Sequence, residues 1–269
     1  MSILPNLKKA QTVSLIKERK NQEPIVMITA YDALFAKLFD PHVDIILVGD
    51  SLHMSFGGEK DTLSATMEIM LYHTKAVCKG AKSSLIVADM PFNSYPTPEI
   101  ALKNASKFYS QTDAHAVKIE GGANRAHIAK YLVDNGIAVM GHIGLLPQNS
   151  RAEGGYKVKG KSETEQAKLI KDAKALQEAG VFCIVIEGVI SSVAKEVSKS
   201  VNIPLIGIGA GNEVDGQVLV WSDAFGFFSD FKPKFVKKYL EGAKLIDEAI
   251  SCYANEVKMR KFPDEKTSY

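Results

Sequence analysis

Four acidic side chains stand where short apolar runs end. Asp50 follows DIILVG (44–49), Asp89 closes SLIVAD (84–89), Glu120 closes AVKIE (116–120) and Glu187 sits near the end of FCIVIEG (182–188). Carboxylates gathered in one place repel one another and lose solvation, so something positive must compensate them. Asp50, Asp89 and Glu120 belong to three successive runs. Three oxygen donors without a His or Cys among them suit a hard cation such as Mg²⁺; the plainer alternative is that Asp50 and Glu120 cap the helices that follow. Lys118 lies two residues before Glu120, so on a strand both point to one face. A lysine inside a fold is costly unless it pairs or reacts. It could be a Schiff-base nucleophile, a charge stabiliser for an enolate, or the ion-pair partner of the acidic group. Glu187 could serve as a general base with a pKa raised by partial burial, or as an acid at a helix N-terminus. His142, in GHIG (141–144), hydrogen-bonds a substrate or fills a polar layer.

The runs that carry these residues are part of a longer series. PIVMITA (24–30), DIILVG, SLIVAD, AVKIE, IAVMGHIG (137–144), FCIVIEG, IPLIGIGAG (203–211) and GQVLVW (216–221) are apolar on both faces, as parallel strands covered by helices are. Amphipathic stretches lie between them at 65–80, 98–111, 124–135, 162–180 and 191–200, several opening on a capping residue or proline. This alternation predicts one (β/α)8 TIM barrel over residues 1–269, with a short leading helix at 12–20 and a long terminal one at 233–259. The alternative, a doubly wound open sheet, lacks its GxGxxG after the first strand. IGIGAGN (206–212) resembles a phosphate-binding turn, though such glycine runs also serve tight packing. EGGYKVKG (153–160) has the make-up of a lid.

The chain has 269 residues and a net charge of only +2, which calls for neither nucleic acid nor a membrane surface as partner. Its three cysteines, Cys78, Cys183 and Cys252, are widely spaced and read as small buried hydrophobes rather than a disulfide or zinc framework. No segment has the length of a membrane span or a signal-peptide core. A soluble cytoplasmic protein is expected.

The sequence resembles the ketopantoate hydroxymethyltransferase family. The matching segments run in order as ITAYD (28–32), LVGDSL (47–52), ADMPF (88–92), VKIEGG (117–122), GHIGLLPQ (141–148), GGYKVKG (154–160), IPLIGIGAG, DGQVLV (215–220) and DAFG (223–226). The resemblance implies that Asp50, Asp89 and Glu120 hold Mg²⁺, that Ser51 and Lys118 bind the substrate carboxylate, and that Glu187 accepts a proton. Asp50, Asp89 and His142 join the substrate-binding set. It further implies a hydroxymethyl transfer from 5,10-methylenetetrahydrofolate to 3-methyl-2-oxobutanoate through a Mg-stabilised enolate, giving 2-dehydropantoate in pantothenate biosynthesis. The family's cytoplasmic homo-oligomers are often decamers.

Three departures stand out: His53 where the family has a small residue, FFSDFKP (227–233) without the usual glycines, and a tail (263–269) without the usual histidine. They bear on folate contacts and C-terminal closure, not on the metal or base positions. The rival enzyme class is a Mg-dependent carbon–carbon lyase of 2-oxo acids, of the isocitrate lyase and phosphoenolpyruvate mutase type, whose KKCGH-like loop is absent. A Schiff-base aldolase on Lys118 and a non-catalytic barrel binding a small acid complete the alternatives.

Overall fold

The structure, a computed structural model, describes residues 9–228 and 233–269. Every apolar run becomes a strand: β1 (Ile25–Thr29), β2 (Ile45–Val48), β3 (Leu85–Asp89), β4 (Ala116–Glu120), β5 (Val139–Gly144), β6 (Cys183–Glu187), β7 (Leu205–Ile208) and β8 (Gly216–Leu219). Each pairs in parallel with the next and β8 pairs with β1, so the sheet closes as an eight-stranded barrel. The helices are α1 (Val13–Lys17), α2 (Ala33–Phe39), α3 (Leu52–Ser55), α4 (Met67–Gly80), α5 (Pro98–Gln111), α6 (Ala126–Asp134), α7 (Ser150–Glu153), α8 (Glu163–Glu178), α9 (Ser191–Lys199), α10 (Trp221–Ala224) and α11 (Gly242–Lys258). Their starts follow from local chemistry. Thr66, Thr97 and Ser162 each accept a backbone N–H of the first turn of α4, α5 and α8, and Pro98 occupies a position where no N–H is needed.

The backbone forms two compact units, one ending at Val220 that contains the barrel, and one of Trp221–Tyr269. Inside the barrel, Met27, Leu47, Leu85, Val87, Met140 and Val185 belong to one buried apolar cluster. Ile16 of α1 is fully buried in the same cluster. Helix α1 lies at the N-terminal end of the strands, because Gln11 N donates to Ser83 O just before β3 and Lys20 Nζ pairs with Asp215 just before β8. It therefore floors the barrel.

The alternation of strand and helix fails once. Only residues 209–215 join β7 to β8, without a helix. The turn is tied by Asp215, whose carboxylate accepts the N–H groups of Leu205 and Asn21 and pairs with Lys20. No helix N-terminus follows IGIGAGN before β8, and its glycines pack closely. A Cβ on Gly211 (φ +81°) would lie 1.9 Å from Ser191 Oγ.

Both end helices are shorter than their amphipathic patterns. Thr12 caps α1, and the chain turns after Lys17, with Asn21 in the left-handed region. Helix α11 starts at Gly242 rather than 233, because Tyr239 N and Gly242 N donate to Ala224 O and Phe225 O instead of to a preceding turn. Cys78 and Cys183 are buried as expected, whereas Cys252 on α11 is exposed. Residues 229–232, most of the glycine-poor FFSDFKP segment, lie outside the described residues.

Candidate active site

Side chains alternate along a strand, so every second residue enters the lumen. Leu85 and Val87 face the lumen on β3, and Asp89 follows them. Ala116, Lys118 and Glu120 do the same on β4, Met140 and His142 on β5, and Cys183, Val185 and Glu187 on β6. The ladders set Asp89 opposite Lys118 and Glu120 opposite His142. One parity thus yields an apolar layer below and a charged layer at the carboxyl ends of the strands. Asp50 lies just past β2, and its N–H donates to Asp89 Oδ2 at 3.1 Å.

The charged layer is tightly coupled. Lys118 Nζ is 2.7 Å from Asp89 Oδ1 and 3.4 Å from His142 Nδ1. His142 lies between two carboxylates, with Nδ1 3.6 Å from Glu120 Oε1 and Nε2 3.3 Å from Glu187 Oε2. Ser51 Oγ meets the hydroxyl of buried Tyr31 at 2.9 Å. Asp50, Asp89, Lys118, Glu120 and His142 are all buried; Glu187, with its side chain 19% exposed, sits at the rim.

Burial pushes Asp50 well above the usual carboxylate range, and the charges of Asp89 and Glu120 push the same way. Burial acts to lower the pKa of Lys118, but Asp89, Glu120 and Asp50 outweigh it and hold the ammonium form above its ordinary value. A lysine held as ammonium is a charge stabiliser, not a free-amine nucleophile. For His142, burial and Lys118 act downward. The carboxylates of Glu120 and Glu187, 3.6 and 3.3 Å away, outweigh both and raise it to about 9, which favours imidazolium at neutral pH.

Two functional-site residues carry no signal in the strand pattern. Gln148, in the short 3-10 turn Pro147–Asn149 after β5, sends Nε2 to Asp50 Oδ2 (2.9 Å) and Met90 O (3.0 Å). Its backbone N–H donates to Glu120 Oε2 at 3.0 Å. Tyr95, in the loop after β3, donates its hydroxyl to Gln148 Oε1 and accepts the N–H of Glu120. A glutamine closing the GHIGLLPQ segment was the available sign. The helices that follow Asp50, Glu120 and Glu187 are α3, α6 and α9, whose N-cap residues are Ser51, Arg125 and Ile190, none making a side-chain cap.

Among the described residues, no three His, Cys, Asp or Glu side chains form a finished metal cage. Lys118 and Gln148 hold the carboxylates instead. The donor set nevertheless fits a divalent cation: the ligating atoms are hard oxygens. Four carboxylates (Asp50, Asp89, Glu120, Glu187) face only two cationic side chains, Lys118 and His142, a shortfall of two positive charges when all are ionised. Over the site, the loop 154–160 is anchored where Lys159 N donates to Gly188 O (2.8 Å), one residue past Glu187. The Tyr156 hydroxyl reaches to 3.8 Å from Met54 Sδ, just past Asp50 and Ser51, and burial, followed by the charges of Glu187, Asp61 and Asp50, raises its pKa.

The sequence profile of ketopantoate hydroxymethyltransferases matches residues 9–265. The chain belongs to that family. The 3-methyl-2-oxobutanoate hydroxymethyltransferase of Campylobacter curvus is 62% identical over 267 residues, covering 99% of each chain. As a ketopantoate hydroxymethyltransferase family member, the chain is a one-carbon transferase. Among solved structures, 2,3-dimethylmalate lyase, a member of the PEP mutase/isocitrate lyase superfamily, aligns with TM-score 0.61 at 15% identity, covering 96% of this chain and 92% of that one. Phosphonopyruvate hydrolase, in complex with oxalate and Mg²⁺, aligns with TM-score 0.61 at 12% identity over 96% and 93%. At such identities the likeness shows the barrel fold alone. No helix among the described residues is long and apolar enough to cross a membrane.

Proposed function

We propose that the protein transfers a hydroxymethyl group from 5,10-methylenetetrahydrofolate to 3-methyl-2-oxobutanoate, giving 2-dehydropantoate for pantothenate biosynthesis. The observation that carries this reading is the placement of Glu187. It is the one carboxylate of the charged layer at the rim, and imidazolium His142 separates it from the buried Asp50, Asp89 and Glu120. That divides the site into a region suited to a cation and a base reached by a second group.

In this reading Asp50, Asp89 and Glu120 hold Mg²⁺, which would supply Lewis-acid polarisation of the keto oxygen of the acid. Lys118 and Ser51 take the substrate carboxylate, Lys118 by its fixed ammonium charge and Ser51 by a hydroxyl oriented by Tyr31. Glu187 removes the proton on C3, and the C3 electron pair forms the new bond to the methylene carbon of the folate as one of that carbon's two bonds to nitrogen breaks, the freed nitrogen taking up the proton. Water then supplies the hydroxyl oxygen as the remaining carbon–nitrogen bond breaks, its second proton passing to that nitrogen and releasing tetrahydrofolate. His142 receives Glu187 as carboxylate before the step and as carboxylic acid after it, steadying its orientation throughout. Nothing in the sequence requires a covalent enzyme intermediate. A cytoplasmic homo-oligomer, a decamer on the family's pattern, belongs to the same proposal and is checked by light scattering.

Proton NMR of 3-methyl-2-oxobutanoate in D₂O tests the first half. Exchange of the C3 proton should need Mg²⁺, stop with EDTA, and fall by about 10²–10⁴-fold in Glu187→Gln, the range a positioned base supplies. Addition of methylenetetrahydrofolate should then give product. Silence with every metal, and also with a folate analogue present, would sink the transferase reading.

A further inference from the structure

We infer that Gln148 is a positioning residue, whose side-chain amide and backbone N–H together orient Asp50 and Glu120 to receive a cation. The inference rests on the reading of those carboxylates as cation ligands.

The argument begins with donors and acceptors. A glutamine amide has two N–H donors and one carbonyl oxygen. Here both donors are committed, to Asp50 Oδ2 and Met90 O, and the oxygen accepts from the Tyr95 hydroxyl. Turning the amide over would point its oxygen at a carboxylate and a carbonyl, and its donors at the Tyr95 hydroxyl. That hydroxyl in turn accepts from Glu120 N, so its own proton is directed to Gln148. The orientation is fixed from both sides.

The second step concerns which oxygens are held. Gln148 takes Oδ2 of Asp50 by its side chain and Oε2 of Glu120 by its backbone. Asp89 is held separately, by Lys118 on Oδ1 and by Asp50 N on Oδ2. Asp50 and Glu120 repel each other, and Lys118 makes its ion pair with Asp89. Gln148 is the neutral donor common to both, so it restrains their separation without neutralising their charge. Ligating carboxylates are commonly held this way by a neighbouring hydrogen bond. None of these bonds belongs to the strand ladders that close the barrel, and they link residues 28 to 98 positions apart.

The test is Mn²⁺ binding followed by electron paramagnetic resonance, without substrates, on the full chain. Variants are Gln148→Met, which keeps the volume and removes the amide, Gln148→Asn, which keeps the amide but withdraws it by one methylene, Tyr95→Phe, and Asp50→Asn as control. Circular dichroism checks the fold. Gln148→Met and Gln148→Asn should each bind Mn²⁺ about 10- to 100-fold more weakly than the unmodified protein, the usual cost of losing a ligand-orienting bond. Tyr95→Phe should lie between. A space-filling role predicts instead that Gln148→Met binds as tightly as the unmodified protein, and that result overturns the inference. If Asp50→Asn is weakened while both Gln148 variants are not, only the positioning role fails. If the unmodified protein takes up no Mn²⁺, or Asp50→Asn binds undiminished, the cation reading falls and this inference with it.

Discussion

His142 Nε2 lies 3.3 Å from Glu187 Oε2, while its other nitrogen faces Glu120. One imidazolium thus joins the rim carboxylate to the buried group. The pairing is a consequence of register: Glu120 lies opposite His142 on the adjacent strand, and Glu187 is one strand further on. Replacing His142 with Asn should cut Mg²⁺-dependent C3 exchange, with KM for the acid little changed. A hydrogen bond to a charged group is worth about 1.5–3 kcal/mol, or roughly 10- to 100-fold. Unaltered exchange would remove His142 from the mechanism.

The Lys118–Asp89 pair is a second point of leverage. Removing one partner of a buried ion pair strands the other charge and costs about 3–5 kcal/mol. Lys118→Met should therefore lower the urea midpoint clearly in EDTA, and Mg²⁺ should return part of the loss by lying against Asp89. An equal midpoint for the two proteins in EDTA would show that Asp89 is not held by Lys118.

Gly144 carries a backbone requirement that bears on Glu187. Its φ is +94°, and a Cβ there would lie 2.3 Å from Glu187 O, where Leu145 N also donates. Gly144→Ala must move the end of β6. Exchange activity should fall by at least an order of magnitude, as misplacement of a reacting group by ~1 Å costs about 100-fold.

Acid stability should depend on Asp40, far from the charged layer. Burial acts to raise its carboxyl, but backbone N–H groups of Lys82, Ser84 and Ser83 outweigh burial and hold it below its ordinary value. A carboxyl depressed in the folded state contributes stability above its unfolded value and loses it as pH falls through the folded one. Urea midpoints measured from neutral pH downward should decline in that window below pH 4. In Asp40→Asn the midpoint at neutral pH should be lower and the decline shallower; parallel curves would exclude the assignment.

The barrel and its charged layer were legible because period-two placement is a local property. Once SLIVAD, AVKIE and FCIVIEG are strands, the parity that sends Val87, Lys118 and Val185 inward sends Asp89, Glu120 and Glu187 inward too. Gln148 and Tyr95 were not legible, since an uncharged amide and a phenol in loops acquire their roles only when two crossings meet over the mouth. The short link between β7 and β8 follows from the runs themselves, since IPLIGIGAG and GQVLVW leave only residues 212–215 between them. Gly211 and Asp215 make a seven-residue turn sufficient, through contacts with Ser191 and Lys20 that no local pattern records. The amphipathic run before α11 misled because apolar spacing cannot reveal that Tyr239 N and Gly242 N are engaged elsewhere.

Because α1 covers the strands' amino ends with Ile16, the lumen is a well floored on that side. Whatever enters first rests on the Lys118 layer, and whatever enters next covers it. Two reactants that share such a well queue rather than mingle. In the proposed reaction the acid would therefore bind before its carrier-bound partner, and the products would leave in the reverse order.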